Sequence, residues 1–225
     1  MDVFKAVDSR IACRAFLDQP VDAKIVRDLI VRAQRAASGG NLQSWFVYAL
    51  TGEPLKELKR QAAATIEGKN VREFETEYPI YPDKLWEPYL GRRDDHGVQL
   101  YGSVGVGRDD HAGRLRQHKL NYRFFNAPVG LFICIDRKLG PGQWADLGGY
   151  IHALAFLARG HGLDSCPQEA WARLYKTVGA FLKLPPEQIL FCGMAIGYGD
   201  HSHPANSFRS PRAELSEFCK FYGFD

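Results

Sequence analysis

Three apolar, β-prone runs alternate with helix-patterned segments, and this predicts strands and helices packed in one sandwich of α+β or α/β class. The runs are WFVYALTG (45–52), APVGLFICID (127–136) and ILFCGMAIGYGD (189–200). The segments between them repeat apolar residues every three to four positions, the spacing of one helix face. The chain has 225 residues and no linker-like stretch, so a single domain over 1–225 with a substantial core is expected.

The elements follow in order. DVFKAV (2–7) reads as a short helix, and SRIACRAFLDQP (9–20) as an extended segment turning at Gln19 and Pro20. Residues 22–37 place Ile25, Val26, Leu29, Ile30 and Ala33 on one face, with Asp22 as N-cap and Ser38, Gly39 and Gly40 as the stop. The strand 45–52 comes next, then an amphipathic helix over 53–68 with Pro54 in its first turn, where a missing N–H costs little. Residues 70–120 read differently: they carry Tyr78, Tyr81, Trp86, Tyr89 and Tyr101 and the pair Arg92 and Arg93. A surface excursion with one or two helices is expected there, DDHAGRLRQHKLNYRFFN (109–126) being one. The strand 127–136 is followed by a helix over 143–162 that is apolar nearly all round between Ile151 and Ala158. Such a helix belongs in a core or at a subunit interface. The last strand leads into a tail bearing Leu215, Phe218, Phe221, Tyr222 and Phe224.

Composition narrows the function. The net charge of +3 with signs interspersed does not argue for nucleic acid or an anionic membrane. No apolar stretch approaches the roughly 20 residues that span a bilayer, and the first ten residues lack the apolar core of a signal peptide, so a cytoplasmic protein is expected. Cys13, Cys134, Cys166, Cys192 and Cys219 are odd in number and form no Cys-x-x-Cys pair, which suits neither a disulfide framework nor a zinc site. His201 and His203 do not form a recognisable ligand set with acidic or cysteine residues and are not read as metal ligands. GSVGVGRDD (102–110) lacks the Gly-Lys-Ser/Thr ending of a phosphate loop and reads as a turn.

Four polar clusters remain: RIACRAF with Arg10 and Arg14, ASGGNLQSW with Ser38, Asn41 and Gln43, GLDSCPQEA with residues 167–170, and ANSFRSPR with Arg209 and Arg212. Each has an ordinary reading on its own, as solvated arginines, a helix C-cap or a plain loop. Together and in this order they resemble the FMN-dependent nitroreductase family over nearly the whole chain, in particular the branch that reduces nitroaromatics such as nitrobenzoate. The family patterns are Arg-Arg-Ser-x-Arg-x-Phe, Pro-Ser-x-x-Asn-x-Gln-Pro-Trp, Gly-Leu-Asp-x-x-Pro with a following turn, and an ending with Gly-Tyr, Asn, basic residues and Gly-Phe. The departures are Ala12 in place of the family Ser, which loses a hydroxyl contact, and Ala37 and Ser44 in place of prolines.

The resemblance implies an α+β three-layer sandwich around a mixed, mostly antiparallel sheet. It also implies an intertwined homodimer with two FMN sites at the interface, the tail (205–225) acting as a dimerisation arm. FMN carries a phosphate of about two negative charges, which suits the forked donors of Arg10, Arg209 and Arg212. Ile11 and Ala12 would lie in the same contact segment. Asn41 and Gln43, with Ser38, suit the dione edge of the flavin, where groups that both donate and accept are needed. The small residues before them let the loop approach a flat ring. Arg14 would sit at the flavin N1 edge, and Pro167, Gln168, Glu169 and Ala170 would offer backbone to the N5 side. The family mechanism is ping-pong, with NADH or NADPH as donor and a flat aromatic acceptor, and it needs no side-chain nucleophile. Loops on a rigid scaffold set specificity, so the excursion is expected to cover the flavin, with Trp86 or Tyr89 stacking on the acceptor and Arg92 or Arg93 meeting a carboxylate on it. Reductive dehalogenation, dehydrogenation on the same fold, and a non-catalytic flavin-binding protein are the alternatives.

Overall fold

The computed structural model describes residues 1–224; Asp225, the last residue of the expected arm, lies outside them. Twelve named elements follow in chain order: α1 (Val3–Ser9), α2 (Ala23–Ala33), β1 (Phe46–Thr51), α3 (Gly52–Ile66), α4 (Tyr89–Ser103), α5 (His111–Lys119), β2 (Val129–Asp136), α6 (Pro141–Gly160), β3 (Asp164–Gln168), α7 (Tyr175–Leu182), β4 (Gln188–Gly197) and α8 (Leu215–Phe218). Asp22 caps α2, its Oδ1 accepting from the Lys24 N–H at 2.8 Å. Such a cap stabilises a helix by about 1 kcal/mol.

The strands order as β1-β2-β4-β3, and all three pairings are antiparallel. Among the described residues, parallel pairing is limited to one isolated bridge between Ala12 and Ser165. The two-residue period of β2 sends alternate side chains to opposite faces. Leu131, Ile133 and Ile135 join Val26 and Leu29 of α2 and Leu147, Tyr150 and Leu154 of α6 in one core. Phe132 and Cys134 join Leu55, Leu58 and Ala62 of α3 and Val178 of α7 in the other. The result is a sheet between two helical layers, the three-layer sandwich the sequence predicts. The all-apolar stretch of α6 is explained in part by this burial.

Two features differ from the sequence expectation. A fourth strand, β3, occupies DSCPQ at the sheet edge, where only a turn was expected. After α5 the helix tightens to 3-10 geometry over Leu120–Asn126 and breaks within it, Phe124, Phe125 and Asn126 lying in the left-handed region. In the excursion, α4 buries none of its side chains. The tail leaves Phe218, Tyr222 and Phe224 exposed. Among the described residues, no helix is long and apolar enough to cross a membrane.

Candidate active site

The N-terminal segment crosses the ends of β3 and β4. The Cys13 N–H donates to the Ser165 carbonyl at 3.0 Å, and the Leu17 N–H to the Tyr198 carbonyl at 2.8 Å. Asn206, 7% exposed, ties the crossing together. Its Oδ1 accepts from the Arg14 N–H at 2.7 Å, and its Nδ2 donates to the carbonyls of Ala15 and Asp200 at 2.9 and 2.7 Å. A buried amide satisfied on both sides by backbone fixes the chain beside it. Beneath lies Asp164, 1% exposed, held by Arg159 Nη1 and His201 Nε2, each at 2.9 Å. Thus His201 serves this carboxylate, and His203 accepts the Ala205 N–H through Nδ1.

This scaffold gathers guanidinium groups. Arg10, Arg14, Arg209 and Arg212 line one cavity of about 280 Å³ with Ile11 and Ala12. Among the described residues none of the four is ion-paired, although eleven ion pairs occur elsewhere. Arg209 donates to the Asp8 and Ser9 carbonyls at 2.6 and 3.4 Å, at the negative end of α1. Arg212 reaches the Ser210 carbonyl at 2.9 Å, and Arg14 the Ala12 carbonyl at 3.2 Å. Burial pushes Arg10 below the ordinary arginine range, and Arg212 and Arg209 alongside push the same way. Val7, Asp8, His96, Phe208 and Ser210 complete the cavity and were not singled out in the sequence; Asp8 is its one carboxylate. His96 is pushed down by burial first, then by Arg14 and Arg212.

Next to the arginines, β3 ends in residues 167–170. Pro167 is exposed and Glu169 half-buried, its carboxyl pushed up by burial. Gln168 turns its side chain inward, 3% exposed, and donates through Nε2 to the carbonyl and Oδ1 of Asn121 at 3.0 and 3.1 Å. It can therefore offer a ligand only its backbone. The Ala170 carbonyl accepts from the Tyr122 hydroxyl at 3.0 Å.

The amide loop is not brought to the arginines. Ser38 Oγ accepts from the Gln43 N–H at 3.1 Å, Gln43 Nε2 donates to the Asn41 carbonyl at 3.2 Å, and the Gly39 N–H donates to Asp146 near the start of α6 at 3.1 Å. Gly40, Asn41 and Gln43 all have left-handed φ, 59°, 58° and 52°, a strain that only glycine takes freely. The arginine side of α6 is marked by Arg159, whose Nε donates to Ser9 Oγ at 3.3 Å. From Asp146 to Arg159 the helix rises about 20 Å. The sheet gives the same answer. Phe46 of β1 pairs with Cys134 and through it with Leu190, whereas Ser165 of β3 pairs with Ile196. The loop and Arg14 thus occupy diagonally opposite corners, about 20 Å apart along the strands and about 14 Å across them.

The excursion residues form a third group. Trp86 and Tyr89 are exposed and meet edge-on at 5.3 Å. Arg92 is not free: it pairs with Glu217 of the tail at 2.9 Å, both side chains half-exposed. Arg93 lies 3.8 Å from Asp94 and over the Tyr81 ring at 5.7 Å.

A model of the nitroreductase family matches residues 7–198. Over 225 residues the chain is 37% identical to a 4-nitrobenzoate reductase of Pseudomonas putida, covering 100% of this chain and 97% of the relative. Its fold superposes on the crystal structure of the FMN and NADPH-dependent nitroreductase NfnB from Sphigopyxis sp. strain HMH with a TM-score of 0.94 and 44% identity, covering 100% of both chains. On the FMN-dependent nitroreductase NfnB from Mycobacterium smegmatis, in complex with NADPH, the TM-score is 0.90 at 27% identity and 97% of each chain. The sequence patterns, the three-layer fold and these whole-length matches agree: the chain belongs to the nitroreductase family.

Proposed function

We propose that the protein is an FMN-dependent NAD(P)H oxidoreductase that reduces nitroaromatic compounds, its flavin held between two copies of the chain. The observation that carries this reading is the cavity with four guanidinium groups, none of them ion-paired among the described residues, against one lining carboxylate, Asp8. Four guanidinium groups around one cavity, Arg209 braced on α1 carbonyls and Arg14 and Arg212 on carbonyls of their own segments, suit a dianion such as the FMN phosphate, so the residues fit the group. Arg10, Arg209 and Arg212 would bind the phosphate, and Ile11 and Ala12 would flank the ribityl chain. Arg14 would face the N1 edge, where a cation stabilises negative charge on the reduced ring. Backbone of residues 167–170 would lie at N5.

The two-chain site rests on distance. Arg14 and the pair Asn41 and Gln43 are assigned to adjacent edges of one flavin ring, yet one chain separates them by about 20 Å along α6. A second copy related by a two-fold axis supplies the missing amides from its own loop, with Ser38 bracing it. The exposed apolar tail residues suit packing on that second copy, as an arm.

Bound there, FMN would supply the hydride and two-electron chemistry that links NADH or NADPH to the acceptor, while the chain's residues bind and orient it. The balance of the first round is nitro compound plus NAD(P)H plus a proton, giving nitroso compound, NAD(P)⁺ and water. A second round gives the hydroxylamine. Donor and acceptor would use one face in turn, a ping-pong scheme, with Trp86 or Tyr89 stacking on the acceptor and Arg93, or Arg92 on exchanging its Glu217 partner, meeting an acid group on it. The test is to purify the protein, identify the released flavin, and measure NADPH oxidation with 4-nitrobenzoate and with halophenols. FMN release and nitro-dependent turnover are expected. A colourless protein that ignores added FMN, or turnover with halophenols only, overturns the reading.

A further inference from the structure

The turn at residues 167–170 is clamped from outside the sheet, and the clamp is built by two residues that the family patterns do not include. Asn121 takes both donor contacts of the Gln168 amide, at 3.0 Å on its carbonyl and 3.1 Å on Oδ1. Tyr122, next in the chain, donates its hydroxyl to the Ala170 carbonyl at 3.0 Å. The clamp thus grips the residues on either side of Glu169 and leaves Glu169 without a side-chain bond among the described residues. Tyr122 is 1% exposed and meets Trp171 edge-on at 5.4 Å. Trp171 in turn lies on β4 over Gly193, the register partner of Gln168. A Cβ there would stand 2.3 Å from the indole, so only glycine lets the ring seat at the strand end.

The clamping pair is itself anchored. Asn121 Nδ2 donates to the His118 carbonyl of α5 at 2.8 Å. Two residues later the backbone enters three consecutive left-handed positions, Phe124, Phe125 and Asn126, with φ of 51°, 50° and 68°. Non-glycine residues hold that conformation only where surrounding packing over-determines it, and Phe124 is fully buried. A rigid segment descending from the excursion therefore fixes the turn to within a hydrogen bond's tolerance at both ends.

We propose that Asn121 and Tyr122 are positioning residues, which hold residues 168–170 in the geometry that hydride transfer requires. The proposal rests on the reading that this turn lies at the flavin N5. A pair that merely filled the core would set stability and leave the flavin's behaviour alone. A pair that positions the turn sets transfer rate and N5 reactivity while the phosphate cradle, on the other side of Arg14, keeps FMN bound. Small misplacements are costly in such a step, up to about a hundredfold for 1 Å.

The test uses the full dimeric protein with Tyr122→Phe, Asn121→Ala and the conservative Asn121→Asp, which keeps Oδ1. Four quantities are read: FMN dissociation constant, rate of flavin reduction by NADPH in single turnover, sulfite affinity at N5, and backbone hydrogen exchange of residues 168–171 in FMN-free protein. For Tyr122→Phe and Asn121→Ala we expect FMN affinity within about threefold of wild type, reduction slowed about tenfold or more, altered sulfite affinity and faster exchange in the turn. Asn121→Asp should recover most of the reduction rate. Wild-type reduction, sulfite affinity and exchange in both variants overturn the proposal, as does a uniform loss of FMN binding with unchanged exchange. Should wild type itself take up no FMN, the functional reading fails, and the exchange measurement still decides whether the clamp holds the turn.

Discussion

Replacing Arg10 by Gln removes one charge from a cluster of four arginines that shares its cavity with a single carboxylate, Asp8, and the consequences should have opposite signs with and without flavin. In the FMN-free protein, Arg10 is half-buried and faces Arg212 and Arg209, with no side-chain hydrogen bond of its own among the described residues. Relief of like-charge repulsion at a partly screened site is on the order of 1 kcal/mol. For a chain of this size that raises the melting temperature by about 2–4 °C. With FMN, the same change deletes a charge-assisted, forked contact to phosphate, about 1.5–3 kcal/mol. The FMN dissociation constant should rise about tenfold to a hundredfold. Fluorescence titration of apo-protein gives the constant, and calorimetry with and without FMN gives the two melting shifts. Arg10→Lys, which keeps charge without the fork, should fall between. A dissociation constant within twofold of wild type, or a melting temperature that falls without flavin, contradicts a role for this cluster in binding the FMN phosphate.

Three further outcomes are expected. Arg14→Ala should keep FMN but lower its two-electron midpoint potential by about 30–60 mV, the equivalent of one charged contact to the reduced ring; spectroelectrochemistry reads the shift, and an unchanged midpoint moves Arg14 to another part of the flavin. His118 is held neutral by burial, its pKa lowered from 6.5 to about 4, so the native state binds fewer protons than the unfolded state in that window. Its stability contribution is therefore intact above pH 6.5 and lost as pH falls towards 4, about 3 kcal/mol in all; His118→Gln should flatten denaturant midpoints between these limits, and an equally steep profile in the variant excludes His118 as the cause. In the excursion, 4-nitrobenzoate should be preferred to its methyl ester by about tenfold to a hundredfold in kcat/KM, and Arg92→Ala or Arg93→Ala should erase that preference while leaving the ester unchanged; equal use of both compounds by wild type leaves the acceptor selected by shape alone.

The parts of the fold that could be read from sequence are those stated by local pattern. Strands β1, β2 and β4 are short apolar runs, α2 and α3 carry helical periodicity, and α6 is an apolar stretch too long for a strand, so each announces itself within its own window. Strand β3 does not, because Asp164, Ser165 and Pro167 deny it an apolar or β-branched signature. It exists through its pairing with β4, a partner some 30 residues on. The site divides the same way. The arginines and amides were legible as residue types with a chemistry, but their placement at opposite corners of the sheet follows from topology alone. Asn206 joins the N-terminal segment across 192 positions, and Arg92 finds Glu217 across 125, distances over which no local pattern speaks. Backbone of residues 167–170 was expected at the flavin, and the sequence did not show that the Gln168 side chain would turn inward to Asn121.

The central claim is that arginines of one chain and amides of another make one flavin site, and subunit complementation tests it directly. A chain carrying Arg10→Gln and Arg14→Ala is mixed by co-expression with a chain carrying Asn41→Ala and Gln43→Ala, each homodimer alone being defective at both sites. In a heterodimer, a two-chain site collects both defects at one end and none at the other. Random pairing makes about half the dimers heterodimers, so about a quarter of all sites should bind FMN and turn over at the wild-type rate. Recovery of that fraction supports the account, and a mixture no more active than its two parents contradicts it.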